Sequence, residues 1–269
     1  MLQWLSILAK IQSHQKARRK DKDAAATSQE EHKVYLEQAV LECAVLTECQ
    51  LKEVVELPPR LDHKEWLASH TIAFFDHINL IYGTISEFCT MSGCPDMTGP
   101  SNRRKCCSEV PHERLQEAWL CRQYLWFDEK GKKCKVAAPQ YIDYVMTFTQ
   151  KTVNDESIFP TKFDKDFPSS FESIVKKIHR LLFHVIAHMY HAHFRELLLL
   201  GLHKHLNSLF CHFVLFATCF DLVEPRETEV LVDLAQALGI APPPEEPSNH
   251  LASQAPPPDT PPTTPLKYQ

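Results

Sequence analysis

Apolar residues recur at spacings of three and four near the start of the stretch Phe171–Phe220, as they do on one face of an α-helix. The start of this helix is indicated by Pro168 and by Ser169 with Glu172, which form a capping box. The apolar face consists of Phe171, Ile174, Val175, Ile178, Leu181, Leu182, Val185 and Met189. The pattern predicts a long helix with one buried face, around which the rest of the chain is organised.

Helical spacing recurs elsewhere, and one segment alternates as paired strands do. The other predicted helices span about residues 66–88, a segment opened by Pro139, about residues 203–220, and Pro225–Leu238. Asp62 and Glu65 form a cap signal for the first of these helices, and Gly239 ends the last one. The segment Gln123–Val136, with a turn at residues 128–131, predicts a β-hairpin. The fold class is therefore mainly α.

A chain of 269 residues with 44% hydrophobic content is long enough to bury one sizeable core. We assign that core to residues 33–240, preceded by a flexible N-terminal segment at residues 1–32. Residues 101–120 lack periodicity, which predicts a surface insert. From Ala241 onwards ten of the 29 residues are proline, so residues 241–269 are predicted to form a disordered tail.

Charge and apolar run length disfavour two classes of partner. A formal net charge of -5 argues against nucleic acid as the main partner. No run approaches the roughly 20 apolar residues that span a bilayer, so no transmembrane segment is predicted. The first residues lack the features of a signal peptide, and a basic run follows at Lys16–Lys22. We therefore expect a cytoplasmic and nuclear protein whose 10 cysteines are reduced or metal-bound.

Histidines are concentrated on the long predicted helix, and a buried imidazole needs a hydrogen-bond or metal partner. They are His184, His188, His191 and His193. Cys89 and Cys94 follow the predicted 66–88 helix, and Gly93 with Pro95 allows a turn that brings both thiolates to one ion. Cysteine and histidine together favour zinc. Other thiols that could compete for the ion are Cys106, Cys107 and Cys121.

Helix geometry leaves the choice of histidine pair open. At about 100° per residue, His188 shares a face with His184 and also with His191. His188 and His193 lie about 140° apart on an ideal helix, so they share an ion only near a helix end or across a π-type widening. His188 is common to all three pairs. Two thiolates and two imidazoles would complete a tetrahedron without water, which predicts a structural ion.

Short motifs follow one another in a fixed order along residues 50–238. They are Leu57-Pro58, Glu65-Trp66-Leu67-Ala68, Phe74-Phe75, Ile78-Asn79, Tyr82-Gly83-Thr84-Ile85, Glu87-Phe88-Cys89, Ala138-Pro139-Gln140-Tyr141, Phe159-Pro160-Thr161, Ala187-His188-Met189-Tyr190, His193-Phe194, His205-Leu206-Asn207 and His212-Phe213. This series resembles the Mob kinase activator family. The segments Asp128–Lys133 and Phe167–Ser173 resemble most the Mob kinase activator 2 branch.

The resemblance implies a single Mob-type helical-bundle domain with a structural zinc ion and no catalytic activity. The implied zinc ligands are Cys89, Cys94, His188 and His193, a set that requires a distorted helix end. One face would bind the N-terminal regulatory segment of NDR-type serine/threonine kinases, which act in Hippo signalling. The residues implied for that face are Glu65, His77, Leu80, Ile81, Leu200 and His212.

The chain departs from the family pattern in two places. The positions that bind phosphothreonine in some members hold Arg180, Leu181 and His184 here. One permanent charge in place of three predicts that there is no strong phosphopeptide site, because charge-assisted contacts supply most of such binding. The second departure is the insert at about residues 101–120, which the family lacks.

Two other functions stay open on the residues alone. A zinc hydrolase would use His184, His188 and a cysteine, with Glu87 as the base, and it would need an open coordination position. A scaffold would recruit SH3 proteins through Pro262–Lys267, which fits a PxxPxK ligand.

Overall fold

The computed structural model describes residues 33–42, 53–100, 122–128, 130–162 and 164–241. Its helices are α1 (His63–Ile85), α2 (Ala138–Val153), α3 (Phe171–Ala192), α4 (Phe194–Leu199), α5 (His203–Cys219), α6 (Pro225–Thr228) and α7 (Val232–Ala237). Short 3-10 helices lie at Val34–Leu36, Gln38–Val40 and Glu229–Leu231. The predicted mainly α fold is confirmed. The predictions for residues 1–32, for the 101–120 insert and for the Pro-rich tail after Ala241 lie outside the described residues.

Helix α3 is the central element, and α1, α2 and the first strand pack against it. Every residue from Leu181 to Tyr190 is buried, so this half of the helix is enclosed by the protein around its whole circumference, and its histidines are buried with its apolar residues. Full burial of one apolar side chain contributes roughly 1.5–3 kcal/mol, so this segment supplies a large part of the core's stability. The predicted organising role of the long helix is therefore confirmed.

The start of α3 differs from its prediction. The cap residue is Ser170, and its side chain makes no capping hydrogen bond. Ser170 has φ -80° and ψ -5°, which is helical geometry, whereas a capping side chain needs extended backbone to reach the free N–H groups. The prediction of a capping box formed by Ser169 and Glu172 is wrong.

Helix α1 begins at its predicted cap. The Asp62 side-chain oxygen accepts hydrogen bonds from the backbone N–H groups of Lys64 (2.8 Å) and Glu65 (3.2 Å). The predicted buried stripe is present, with Leu67, Phe74, Ile78, Ile81 and Ile85 all in the core. The helix ends at Ile85 rather than near residue 88, and a turn at residues 86–88 leads directly into Cys89.

Two small antiparallel sheets replace the single predicted hairpin. Strand β3 (Trp126–Phe127) pairs with β4 (Lys133–Cys134), which confirms the hairpin in a shorter form. Strand β2 (Arg122–Gln123) pairs instead with β1 (Thr98–Gly99), a strand that no pattern predicted. A two-residue strand is too short to show alternation, and its partner lies about two dozen positions away in the sequence.

The last predicted helix is divided into α6, a 3-10 turn and α7. Its predicted stop is confirmed, because Gly239 has φ +75°, a conformation that glycine adopts without steric strain. Asn207 of α5 connects to the amino-terminal part of the described chain. Its side-chain amide donates hydrogen bonds to the backbone carbonyl groups of Val40 (2.9 Å) and Glu42 (3.0 Å). Among the described helices, none is long and apolar enough to cross a bilayer.

Candidate metal centre

Two cysteines and two histidines converge at the carboxyl ends of α1 and α3. The sulfur of Cys89 lies 3.6 Å from Nε2 of His188, and the sulfur of Cys94 lies 3.6 Å from Nε2 of His193. All four donor atoms lie within 4.8 Å of one another. The tertiary structure thus selects His193 as the partner of His188, which spacing on an ideal helix disfavoured.

A tight turn after α1 positions the two cysteines. The backbone N–H of Cys94 donates to the carbonyl of Thr90 (2.8 Å), and the N–H of Gly93 donates to the Thr90 hydroxyl (3.0 Å). The carbonyl of Cys94 accepts a hydrogen bond from the N–H of Ala138, the first residue of α2 (3.0 Å). These hydrogen bonds, within the turn and from α2, therefore fix the turn independently of a bound ion.

The end of α3 is distorted where the second histidine is required. His193 has φ -129° and ψ 12°, so it leaves the helical path directly after Ala192. Its N–H still donates to the carbonyl of Met189 (3.0 Å), which keeps the residue next to the helix. The rings of His188 and His193 lie 5.1 Å apart at 72°. A distorted helix end, which the family resemblance implied, is present.

The unpredicted strand β1 orients His188. Nδ1 of His188 donates a hydrogen bond to the carbonyl of Thr98 (2.9 Å), so Nε2 keeps its lone pair and points at the cysteines. A carbonyl on the far ring nitrogen is the usual support of a metal-bound histidine. Nδ1 of His193 is buried and has no hydrogen-bond partner among the described residues.

The four donors fit a tetrahedral zinc ion. With Zn–S near 2.3 Å and Zn–N near 2.05 Å, a tetrahedron places sulfur and nitrogen roughly 3.6 Å apart. Two of the four sulfur–nitrogen distances, Cys89–His188 and Cys94–His193, are 3.6 Å, and all four donor atoms lie within 4.8 Å of one another. Two thiolates with two imidazoles are also a donor set that suits zinc and not the oxygen-seeking ions calcium and magnesium.

The hydrogen bond between the two cysteine side chains favours a thiolate at Cys94, and a thiolate attracts a cation. The pKa of Cys94 lies well below its usual range, chiefly because the Cys89 thiol donates a hydrogen bond to its thiolate, and further because of His188 and His193. The pKa of Cys89 is raised by that same hydrogen bond and by burial. A bound cation would let both sulfurs ionise together.

His184 does not belong to this cluster, which corrects the hydrolase alternative. Its Nδ1 lies 2.8 Å from the Tyr141 hydroxyl, its Nε2 lies 3.4 Å from a carboxylate oxygen of Glu227, and its ring stacks on Tyr124 at 3.9 Å. The predicted base of the hydrolase, Glu87, is exposed. The donor set that the hydrolase required is therefore not assembled.

Glu227 is a site residue that sequence reasoning missed. Besides contacting His184, its carboxylate accepts a hydrogen bond from Arg122 (2.7 Å). The resemblance implied Arg180, Leu181 and His184 as the phosphothreonine-binding positions, and two of these, Arg180 and His184, lie close to the carboxylate of Glu227. Arg180 is exposed and Leu181 is buried. Glu227 lies 43 positions from His184, so no local pattern could have identified the contact.

The residues implied for a kinase-binding face have unequal exposure. Glu65, His77 and Leu80 are exposed on α1, with Leu80 at 68% of its full accessibility, and Leu200 is half-buried after α4. Ile81 is 8% exposed and supports this surface from beneath. His212 of α5 is half-buried, and its ring lies 4.8 Å from that of Phe74.

Comparisons with known proteins agree with this architecture. The Mob1/phocein family model matches residues 43–116 and 105–231, and the two ranges overlap at residues 105–116, within the predicted insert. The chain is 60% identical over 223 residues to MOB kinase activator-like 2 of Drosophila melanogaster, which covers 83% of this chain and 36% of that protein. It is 50% identical over 210 residues to MOB kinase activator 2 of Homo sapiens, covering 78% and 79%. It is 37% identical over 198 residues to MOB kinase activator-like 1A of Arabidopsis thaliana, covering 72% and 83%. The chain thus spans about a third of the length of the Drosophila relative.

Proposed function

This chain belongs to the Mob1/phocein family, and from that premise we propose that it is a non-catalytic adaptor that binds a protein kinase and regulates its activity. The names of its relatives, MOB kinase activator 2 and MOB kinase activator-like 2, support this role. The structural observation that carries the proposal is the set of four protein donors at one point. Four protein ligands fill a tetrahedral zinc ion, which leaves no coordination position for a catalytic water.

The partner that we propose is the N-terminal regulatory segment of an NDR-type serine/threonine kinase. Leu80 would provide an apolar contact at the centre, because a leucine that is 68% exposed gains most from being covered by a partner. Glu65 and Asp76 are exposed on the same helix and would attract a basic segment. His77, Ile81, Leu200 and His212 complete the proposed face.

The ion that we propose is zinc in a structural role. It would join the end of α1, which precedes Cys89, to the end of α3, which carries His188 and His193. In small zinc modules the ion contributes about 10–16 kcal/mol. That is as large as the whole stability of a typical domain, about 5–15 kcal/mol, so the fold should depend on the ion.

Metal content and kinase-segment binding should be measured together on the wild type, on His188→Ala and on His205→Ala. His205 is an exposed histidine of α5 and serves as the matched control. We expect one zinc ion per chain in the wild type and in His205→Ala, with tight binding of a synthetic NDR regulatory segment. His188→Ala should lose the ion, the helicity and the binding.

The contrary results separate the two parts of this proposal. A folded, zinc-bound wild type that binds no NDR regulatory segment would refute the kinase partner and keep the structural ion. A metal-free wild type that folds and binds the segment would refute the zinc and keep the adaptor.

A further inference from the structure

The β3–β4 hairpin presents one side to the protein and the other to solvent. The ring of Trp126 packs against Tyr141 (5.5 Å) and Tyr144 (5.2 Å) of α2, and Trp126 pairs across the hairpin with Cys134. Because successive strand residues point to opposite faces, the neighbouring pair Phe127 and Lys133 points away from α2. Phe127 is 51% exposed, and Leu125, two positions earlier, is 37% exposed.

The same hairpin carries a concentration of positive charge. Four lysines lie between residues 130 and 135 and outnumber the two acidic residues of the hairpin, Asp128 and Glu129, in a chain whose net charge is -5. Lys135 is paired with Asp96, with 3.1 Å between Nζ and a carboxylate oxygen. Lys130, Lys132 and Lys133 are exposed and have no carboxylate partner in the part of the chain that the structure describes. Nζ of Lys133 lies 5.8 Å from the ring centroid of Phe127, so charge and apolar surface are adjacent.

Internal hydrogen bonds hold the hairpin tip in shape. A side-chain oxygen of Asp128 accepts from the backbone N–H groups of Lys130 (2.9 Å) and Lys132 (2.8 Å). The backbone carbonyl of Asp128 accepts from Gly131 (2.9 Å), which has φ +74° and so suits glycine. Asp128, Lys130, Gly131 and Lys132 are already held by these hydrogen bonds, so these residues lose little conformational entropy when the hairpin binds.

We propose that the hairpin face, formed by Leu125, Phe127, Lys130, Lys132 and Lys133, binds the anionic headgroup layer of a phospholipid bilayer. All of its cations are lysines, which are flexible point charges. Bidentate recognition of one carboxylate or phosphate in a protein partner relies on the planar fork of arginine, whereas a layer of many headgroups needs no fixed geometry. Leucine and phenylalanine beside lysines match the boundary between headgroups and acyl chains.

This surface is separate from the proposed kinase-binding face and differs from it in charge. The proposed kinase-binding face is formed by residues of α1 and α5 and by Leu200 after α4, and it presents the carboxylates of Glu65 and Asp76, while the hairpin packs against α2. Because the chain is acidic overall, an anionic bilayer would repel most of its surface and attract the hairpin. The protein would therefore hold its kinase partner while the hairpin touches the bilayer.

Vesicle co-sedimentation of the full chain tests the proposal. The probes are vesicles of phosphatidylcholine with phosphatidylserine and vesicles of phosphatidylcholine alone. The hairpin variant is Lys130→Gln/Lys132→Gln/Lys133→Gln. Its matched control, Lys151→Gln/Lys162→Gln/Lys165→Gln, removes the same charge from exposed lysines at the far end of α2 and in the loop after it. Circular dichroism and thermal melting of each variant establish that the fold is kept.

The wild type should bind the phosphatidylserine vesicles, bind phosphatidylcholine alone far less, and lose binding as salt rises. At about fivefold per lysine near an anionic surface, the loss of three lysines should weaken binding of the hairpin variant about 100-fold. The control variant should stay within about threefold of the wild type, since its lysines lie away from the bilayer. Phe127→Ser should weaken binding about fivefold with the salt dependence unchanged.

Four results would overturn the proposal. The first is equal binding to both kinds of vesicle, and the second is an equal loss in the hairpin and control variants. The third is a hairpin variant that binds normally while neutralisation of the basic run Lys16–Lys22 abolishes binding. The fourth is a wild-type protein that binds a polyglutamate peptide through the hairpin lysines and does not bind the vesicles. That result would identify an acidic polypeptide as the partner.

Discussion

Helix α3 buries histidines in two regions that solve the same physical problem differently. Near its carboxyl end, His188 and His193 face the sulfurs of Cys89 and Cys94. Near its amino end, His179 lies among aromatic rings, 5.4 Å from Phe213 and 5.9 Å from Phe74. We call the first region the metal cluster and the second, which includes His70 and His212, the aromatic cluster.

The partners of each imidazole explain the difference. Nδ1 of His179 donates to the carbonyl of Val175 (3.0 Å), and its Nε2 is buried without a partner among the described residues. Burial lowers the pKa of His179 to about 4, with a smaller effect from His70, so the ring stays neutral at pH 7. Burial likewise lowers the pKa of His212 to about 4. A buried histidine thus indicates a metal site only where thiolates or carboxylates converge on it.

The largest expected effect is the loss of the metal cluster. Cys94→Ser should remove the proposed ion and unfold the protein, because about 10–16 kcal/mol of metal binding exceeds the stability of most domains. Circular dichroism and elemental analysis check the fold and the metal content. Cys219→Ser, at an exposed cysteine of α5, is the control and should change neither. A folded, cooperative Cys94→Ser protein would contradict the prediction.

Acid should destabilise the protein through the aromatic cluster. The folded-state pKa of His179, about 4, lies below its ordinary value of 6.5, so the unfolded chain binds more protons between these values. Stability should therefore fall as pH decreases from about 6.5 to about 4, by about 3 kcal/mol for this group alone. Urea unfolding of the wild type and of His179→Leu, from pH 7 to pH 5, should capture about 2 kcal/mol of this loss.

The decisive quantity in that experiment is the difference between the two proteins. The wild type should lose more stability than His179→Leu as the pH falls, because protonation of the metal ligands affects both equally. His205→Leu, which removes an exposed histidine, should follow the wild type. Parallel pH profiles for the wild type and His179→Leu would show that His179 does not titrate in this range.

A third buried histidine on α3 sharpens the comparison, because His184 is satisfied by a carboxylate. Glu227→Gln should lower the free energy of unfolding by about 1–2 kcal/mol, since it weakens the charge-assisted contact with Arg122 and the contact with His184. Urea unfolding at pH 7 measures this loss. Glu224→Gln, at an exposed carboxylate paired with Arg226, should change stability by less than about 0.5 kcal/mol.

The same carboxylate bears on phosphopeptide binding. The wild type should bind a phosphothreonine peptide more weakly than micromolar, because Glu227 already neutralises the nearby cations and would repel a phosphate. Isothermal titration calorimetry checks this, and micromolar or tighter binding would contradict it.

The smallest expected effect concerns the edge of the aromatic cluster that contributes to the proposed kinase-binding face. His212→Phe should keep the fold, because a ring of similar size still packs against Phe74, while NDR-segment binding weakens about tenfold through loss of a polar contact. Fluorescence anisotropy measures the affinity, with His205→Phe as the control. Unchanged binding would exclude His212 from the face.

Local patterns predicted the helices well. The stripe that begins at Phe171, the cap at Asp62 and the stop at Gly239 are all present, because each depends on residues only a few positions apart. The capping box failed because it assumed an extended backbone before α3, and Ser170 is helical. The composition and spacing of the cysteines and histidines were enough to predict a cluster that can hold a metal.

By itself the sequence determined a mainly α fold, a long central helix and a cluster of cysteine and histidine donors. Helix periodicity left the partner of His188 open; the family resemblance implied His193, and the tertiary structure brings the two together. Only the tertiary structure decided that Thr98 orients His188 and that His184 turns to Glu227 instead. The contacts concerned are Cys94–His193, Thr98–His188 and His184–Glu227, whose residues lie 99, 90 and 43 positions apart in the sequence. No local pattern encodes how the elements that carry them pack together. Helix periodicity is a property of neighbouring residues, whereas the choice of partner for a buried polar group depends on what the completed core brings next to it.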